Sequence, residues 1–182
     1  MEMKKQDKWY QICVHKSGWD GYNHKWADQV YWNMNTMKDY HVNVRKFSDI
    51  AYHFVIERDG TLMEGRDINY CPASSKGHND NVIAICLIGE FTREEPTQDQ
   101  LDVLQNLILH LTKTYIIPSG VTPKDSTDMH HIFCHCDYRD PAGNRYCPGK
   151  YLHSKVPMIC REVHNLIENE QNYVQKVGED DS

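Results

Sequence analysis

Residues 82–88, Val-Ile-Ala-Ile-Cys-Leu-Ile, are apolar without a break. A strand with one wet face alternates polar and apolar positions, so an unbroken run has to be covered on both faces, like the central strand of an α/β sheet. The rest of the chain offers that cover. Thr97 and Gln100 are spaced as a capping box behind Pro96, and Leu101, Leu104, Leu107, Ile108, Leu111 and Tyr115 trace one apolar helical stripe, which Pro118 and Gly120 are expected to end. A second helix is expected over residues 27–40, on Val30, Tyr31, Met34, Met37 and Lys38, although two asparagines weaken it. A third is expected from about residue 155, carried by Val156, Ile159, Val163, Leu166 and Ile167.

Strand signals alternate with these helices. Residues 9–15 have a period of two, residues 131–135 form a short apolar run, and residues 52–65 read as a hairpin about Asp59-Gly60, a signal for a two-residue turn. Residues 66–81 form a polar loop of a length that usually serves to shape a groove. Strands alternating with helices, plus one hairpin, predict a single α/β domain with a central mixed sheet flanked by helices. With 182 residues, 40% apolar and 25% charged, one core suffices. The expected limits are a flexible N-terminus at 1–8, the domain at 9–176 and a disordered acidic tail at 177–182.

Composition narrows the function. A formal charge of −6 with no basic block argues against nucleic-acid binding. No apolar stretch approaches the roughly 20 residues that span a bilayer, and no apolar signal core follows the N-terminal residues, so membrane insertion and export by the general secretory route are not expected. The seven cysteines are an odd set without a disulfide rhythm, which favours reduced thiols.

One constellation suggests chemistry. His15 closes the apolar run Ile12-Cys13-Val14, His135 closes another, and a turn-rich loop of eleven residues leads from His135 to Cys147, set in front of Pro148-Gly149. Two imidazoles and a thiolate are a donor set for a catalytic zinc, which keeps a fourth position open. Strand ends are where ligands gather in such sheets. If the strand persists there, Cys134 and Cys136 point to the face opposite His135, and His131 lies about 13 Å away along it. The alternative is scattered histidines and ordinary buried thiols.

Residues 52–61 (Tyr-His-Phe-Val-Ile-Glu-Arg-Asp-Gly-Thr) with Glu64-Gly65-Arg66, then Lys76-Gly77-His78-Asn79, then residues 83–89 (Ile-Ala-Ile-Cys-Leu-Ile-Gly) resemble, in order, the core of the type 2 N-acetylmuramoyl-L-alanine amidases. Peptidoglycan recognition proteins and short bacteriophage amidase endolysins share that core, and the likeness covers roughly residues 9–160. The resemblance implies one Zn2+ held by His15, His135 and Cys147, with Tyr52 and Arg145 as catalytic residues and peptidoglycan or a muropeptide as substrate. Tyr22, Trp26, Lys76, His78 and Asn79 are expected to line the groove; for Tyr52 the alternative is an aromatic that merely begins a strand. Three departures from the family pattern stand out. Cys136-Asp137 follows the second histidine, Ala73-Ser74-Ser75 replaces a segment that usually carries a groove histidine, and Arg145 replaces lysine or threonine. The expected activity is hydrolysis of the amide between N-acetylmuramic acid and L-alanine, by a lytic or antibacterial protein made in a cytoplasm and acting on the wall after release or delivery. A recycling amidase or a non-catalytic recognition module are the alternatives.

Overall fold

The computed structural model describes residues 2–17, 33–119, 131–138 and 146–180, the last five by backbone alone. Strands β1 (Gln11–Lys16), β2 (Phe54–Ile56), β3 (Leu62–Glu64), β4 (Val82–Leu87) and β5 (Ile132–Cys134) form one mixed sheet in the order β3-β2-β4-β1-β5. Only the hairpin pair β2–β3 is antiparallel; β4 runs parallel to β2 and β1, and β1 parallel to β5. The unbroken apolar run is β4, central and buried at all six positions.

The pleat assigns each face. Ile12, Val14, Ile83, Ile85, Leu87, Ile132 and Cys134 turn towards α2 (Gln98–Tyr115) and α3 (Lys150–Asp180), whose Leu104, Ile108, Leu152, Val156 and Val163 complete the main core. Among the described residues, two smaller clusters cover parts of the opposite face. Met34 and Met37 of α1 (Met34–Asp39) pack there on Ile50, Val55, Cys86 and Ile88. Beside β5, Cys13, Val82 and Phe133 form a smaller cluster with Tyr138.

The elements differ from expectation in instructive ways. Asn33 caps α1 in a reciprocal box with Thr36, and the helix then widens into a π turn at Tyr40–Val44; residues 18–32, where an earlier start was expected, lie outside the described residues. The hairpin has a longer loop than two residues. The Gly60 N–H donates to the Glu57 carbonyl and Gly60 takes φ 83, so a turn followed by a left-handed residue makes the reversal. The Thr97–Gln100 box starts α2 as expected, but Ile116 stops it with φ 56, two residues before Pro118, and this brings Ile117 back into the core. Strand β5 ends at Cys134, and a 3-10 turn, His135–Asp137, replaces the expected fifth strand residue. Helix α3 begins at Lys150, five residues early, because Leu152 has to reach the core; Pro157 is inside the helix, and the backbone stays helical to Asp180, into the stretch expected as a free tail. The N-terminus is also held. Lys5 bridges Tyr70, and the buried Gln6 side chain donates to the Ile68 and Val82 carbonyls.

His53 shows how the sheet uses a buried imidazole. Its Nδ1 accepts from the Ala84 N–H at 3.0 Å and its Nε2 meets the Tyr70 carbonyl at 2.9 Å, which specifies the neutral ring protonated at Nε2. Burial lowers its pKa from 6.5 to about 4, against a smaller upward pull from the Tyr70 carbonyl; His41 is lowered to about 4 as well, chiefly by burial. Between those values the unfolded chain binds more protons than the folded one, so stability is full above about pH 6.5 and drains as pH falls towards 4. For His53 the loss reaches about 3 kcal/mol. Urea midpoints at pH 7.5 and 4.5 should show it, with a shallower dependence in His53→Gln.

Candidate metal centre

His15 is the fifth residue of β1, with Cys86 of β4 as its register partner. On the other side Val14 pairs with Cys134, so His15 and His135 each follow a paired residue at the ends of neighbouring parallel strands. Their rings lie 4.7 Å apart between centroids on the same face of the sheet. Both are buried, at 1% and 6% exposure. Cys147 reaches them from the segment before α3, with Sγ 3.7 Å from His15 Nδ1, and all three donor atoms lie within 4.8 Å of one another.

Two backbone donors fix the sulfur. The Lys16 N–H donates to Cys147 Sγ at 3.5 Å, and the Cys136 N–H donates to the Cys147 carbonyl at 2.7 Å. One of these comes from the end of β1 and the other from the turn after β5. Lys16 in turn pairs through Nζ with Glu90, which also accepts from the Thr92 N–H and hydroxyl. Gly149 lets the segment seat. Its φ is 96, and a Cβ there would stand 2.6 Å from the Phe91 carbonyl oxygen.

The donors fit zinc. With bonds of about 2.3 Å to sulfur and about 2.0 Å to nitrogen, a tetrahedral site separates the two by about 3.5 Å, close to the observed 3.7 Å. Burial, and then the neighbouring His135, lowers the His15 pKa well below 6.5, so the ring is neutral, as a ligand must be. His15 Nε2 has no partner among the described residues, and Nδ1 has only the long contact to sulfur. With only that long contact, the Nδ1 lone pair is available to a cation, and the neutral ring then carries its proton on Nε2. Burial pushes the Cys147 thiol up to about 12, while the Lys16 N–H and charge pull it down, so the free thiol holds its proton until a metal displaces it.

Tyr52 stands beside the trio, its ring 5.2 Å from that of His15. Burial raises its phenol well above 10, and the nearby thiols of Cys86, Cys147 and Cys13 add to the rise. It therefore remains a proton donor across the physiological range.

The other expected residues are less concentrated. Asn79 is a loop clasp, its Oδ1 accepting from the Ser74 and Ser75 N–H groups. Lys76 and His78 are exposed on the same loop. His78 stacks on Tyr138 at 4.3 Å, and the Tyr138 hydroxyl donates to the His78 carbonyl. Tyr138 also meets Phe133 edge-on and lies 6.3 Å from the His135 ring, so it links that loop to the trio; no periodicity singles it out. His131 is spent on the Tyr10 carbonyl. Tyr22, Trp26 and Arg145 lie outside the described residues.

Residues 5–150 match the family described as N-acetylmuramoyl-L-alanine amidase. The chain is 29% identical over 135 residues to peptidoglycan-recognition protein LE of Drosophila melanogaster, covering 74% of this chain and 35% of that protein. It spans about a third to a half of the length of the first curated relatives it matches. In three dimensions it is similar to the N-acetylmuramoyl-L-alanine amidase LysC from Clostridium intestinale URNW, with TM-score 0.64, 23% identity and coverage of 92% of this chain and 91% of that one. It is also similar to peptidoglycan recognition protein LE solved in complex with tracheal cytotoxin, a monomeric diaminopimelic acid-type peptidoglycan. There the TM-score is 0.62 with 25% identity, over 87% of this chain and 85% of that one.

Two outcomes follow for the centre. Zinc uptake has to expel the Cys147 proton, so apparent affinity in chelator competition should rise about tenfold per pH unit between pH 7 and 9. Gly149→Ala should displace the sulfur, weakening zinc binding and lowering the unfolding midpoint, because both its φ and the Phe91 backbone oppose a Cβ.

Proposed function

The chain belongs to the N-acetylmuramoyl-L-alanine amidase family, and from that premise we propose that it hydrolyses the amide joining N-acetylmuramic acid to L-alanine in peptidoglycan or its muropeptide fragments, with one zinc held by His15, His135 and Cys147. The observation that carries this reading is the convergence of those three donors, from two strand ends and one loop, to within 4.8 Å. Relatives named for peptidoglycan recognition, one of them solved with tracheal cytotoxin, support the substrate class.

Bound there, zinc supplies Lewis-acid polarisation of the scissile carbonyl and lowers the pKa of a coordinated water to about 7. The chain's own groups do the rest. Burial keeps His15 neutral, and the Lys16 N–H stabilises the sulfur of Cys147 as thiolate. Tyr52 keeps its proton and donates it in a hydrogen bond to the oxygen that gains charge as the carbonyl carbon becomes tetrahedral. Arg145, two residues before Cys147, adds positive charge to the same oxygen. The loop at residues 73–79, clasped by Asn79 and braced by Tyr138, forms one wall for the glycan-linked peptide. In its biological setting the protein acts on the wall after release or delivery, as a lytic or antibacterial enzyme.

Amide release from purified sacculi, followed as new L-alanine amino termini, tests this directly. Tyr52→Phe should keep its zinc and lose on the order of a hundredfold in kcat. Cys147→Ser should lose the zinc of this centre and, with it, turnover. A wild type that binds muropeptide and releases no amine would instead assign it to recognition, and cleavage of soluble fragments with intact sacculi untouched would assign it to recycling.

A further inference from the structure

A second set of donors meets on the other side of the turn that carries His135. Asp137, the last residue of that turn, accepts from the Cys134 N–H through Oδ2 at 2.8 Å and meets His153 Nε2 through Oδ1 at 3.0 Å. Cys134 Sγ, a carboxylate oxygen of Asp137 and the His153 ring nitrogen all lie within 4.8 Å of one another. Cys136 Sγ is 4.0 Å from the same Oδ1. The first trio shares none of these residues. Cys134 turns to the helix-covered face of the sheet, and His153 projects from the first turn of α3.

Cys134 is 1% exposed, whereas Asp137 and His153 are partly exposed, so the three donors meet at the margin of the core, where an ion can enter from solvent. Sulfur, imidazole nitrogen and carboxylate oxygen are the donors that zinc and similar borderline-soft ions accept. The geometry is close to closed. A tetrahedral ion with bonds of about 2.0–2.1 Å separates a nitrogen and an oxygen ligand by roughly 3.3 Å. His153 and Asp137 therefore have to part by a few tenths of an ångström, which side chains that are 45% and 37% exposed allow.

We propose that Cys134, Asp137 and His153 form a second zinc site, with its fourth position left to water. The ion ties β5 and the His135 turn to the start of α3, and so braces His135 from the side away from His15 and Cys147. It is a binding site in its own right and does not depend on the reaction proposed above.

Cobalt(II), added to the metal-free full-length chain, is the probe, read by stoichiometry and by the thiolate-to-cobalt charge-transfer band. The wild type should take two equivalents, and Cys147→Ser and His153→Gln one each. The single ion kept by Cys147→Ser should still show the thiolate band, now from Cys134, and the double variant should lose it. A Cys147→Ser protein that takes no cobalt, a His153→Gln protein that takes as much as the wild type, or a Cys147→Ser protein whose ion lacks the thiolate band would overturn the second site. Failure of the first site would read differently, as Cys147→Ser binding as much cobalt as the wild type. His153 is exposed enough for His153→Gln to fold, and its far-ultraviolet circular dichroism should match that of the wild type.

Discussion

The parallel pairing of β1 with β4 on one side and β5 on the other is the constraint on which the rest of the centre depends. Hydrogen bonds on both edges of β1 fix where that strand ends, and hence where His15 stands. The register Val14↔Cys134 places His135 at the same height on the adjoining strand. A slip of one residue in either pair would turn the affected imidazole to the helix-covered face. The apolar run of β4 guards against such a slip, because each of its six residues is buried and has a fixed neighbour.

The third donor is fixed by other means. Cys147 belongs to no strand, and its position is set by hydrogen bonds from Lys16 and Cys136, by the contact of Gly149 with the Phe91 backbone and by the helix that starts one residue later. The centre is thus built from a rigid half, two strand ends, and a half that is tied to it. The ties run through backbone N–H groups, which side-chain substitution cannot remove. This leaves the surrounding side chains freer to vary than the donors themselves.

Much of this was legible in the sequence, for physical reasons that differ between elements. An unbroken apolar heptapeptide has one comfortable place in a sheet, and Thr97 with Gln100 marks a helix start by its own hydrogen bonds. His15, His135 and Cys147 were identifiable because each closes an apolar run or precedes Pro-Gly, positions from which a side chain can be aimed. What was hidden depended on contacts across the chain. Gln6 looks like part of a loose terminus until the Ile68 and Val82 carbonyls are beside it. Asn79 looks like a groove residue until its Oδ1 is found on the backbone of Ser74 and Ser75. The roles of Tyr138 and His153 rest on partners 60 and 16 residues away, and no local pattern encodes either. The apolar stripe that marks α3 in the sequence begins at Val156, whereas the burial of Leu152 pulls the helix back to Lys150.

The distance along the chain between the donors has a consequence for the molecule as a whole. His15 and Cys147 are 132 residues apart, so a cation shared between them closes a ring that takes in β2 to β5 and α2, with α3 following directly from its closure. Joining two such remote points withdraws conformational freedom from the unfolded chain, by an amount that grows slowly with ring size and for rings of this order approaches that of a long-range covalent cross-link, about 4–5 kcal/mol. The ion would therefore be a topological fastener as well as a reagent, and the fold and its chemistry would share a single point of closure.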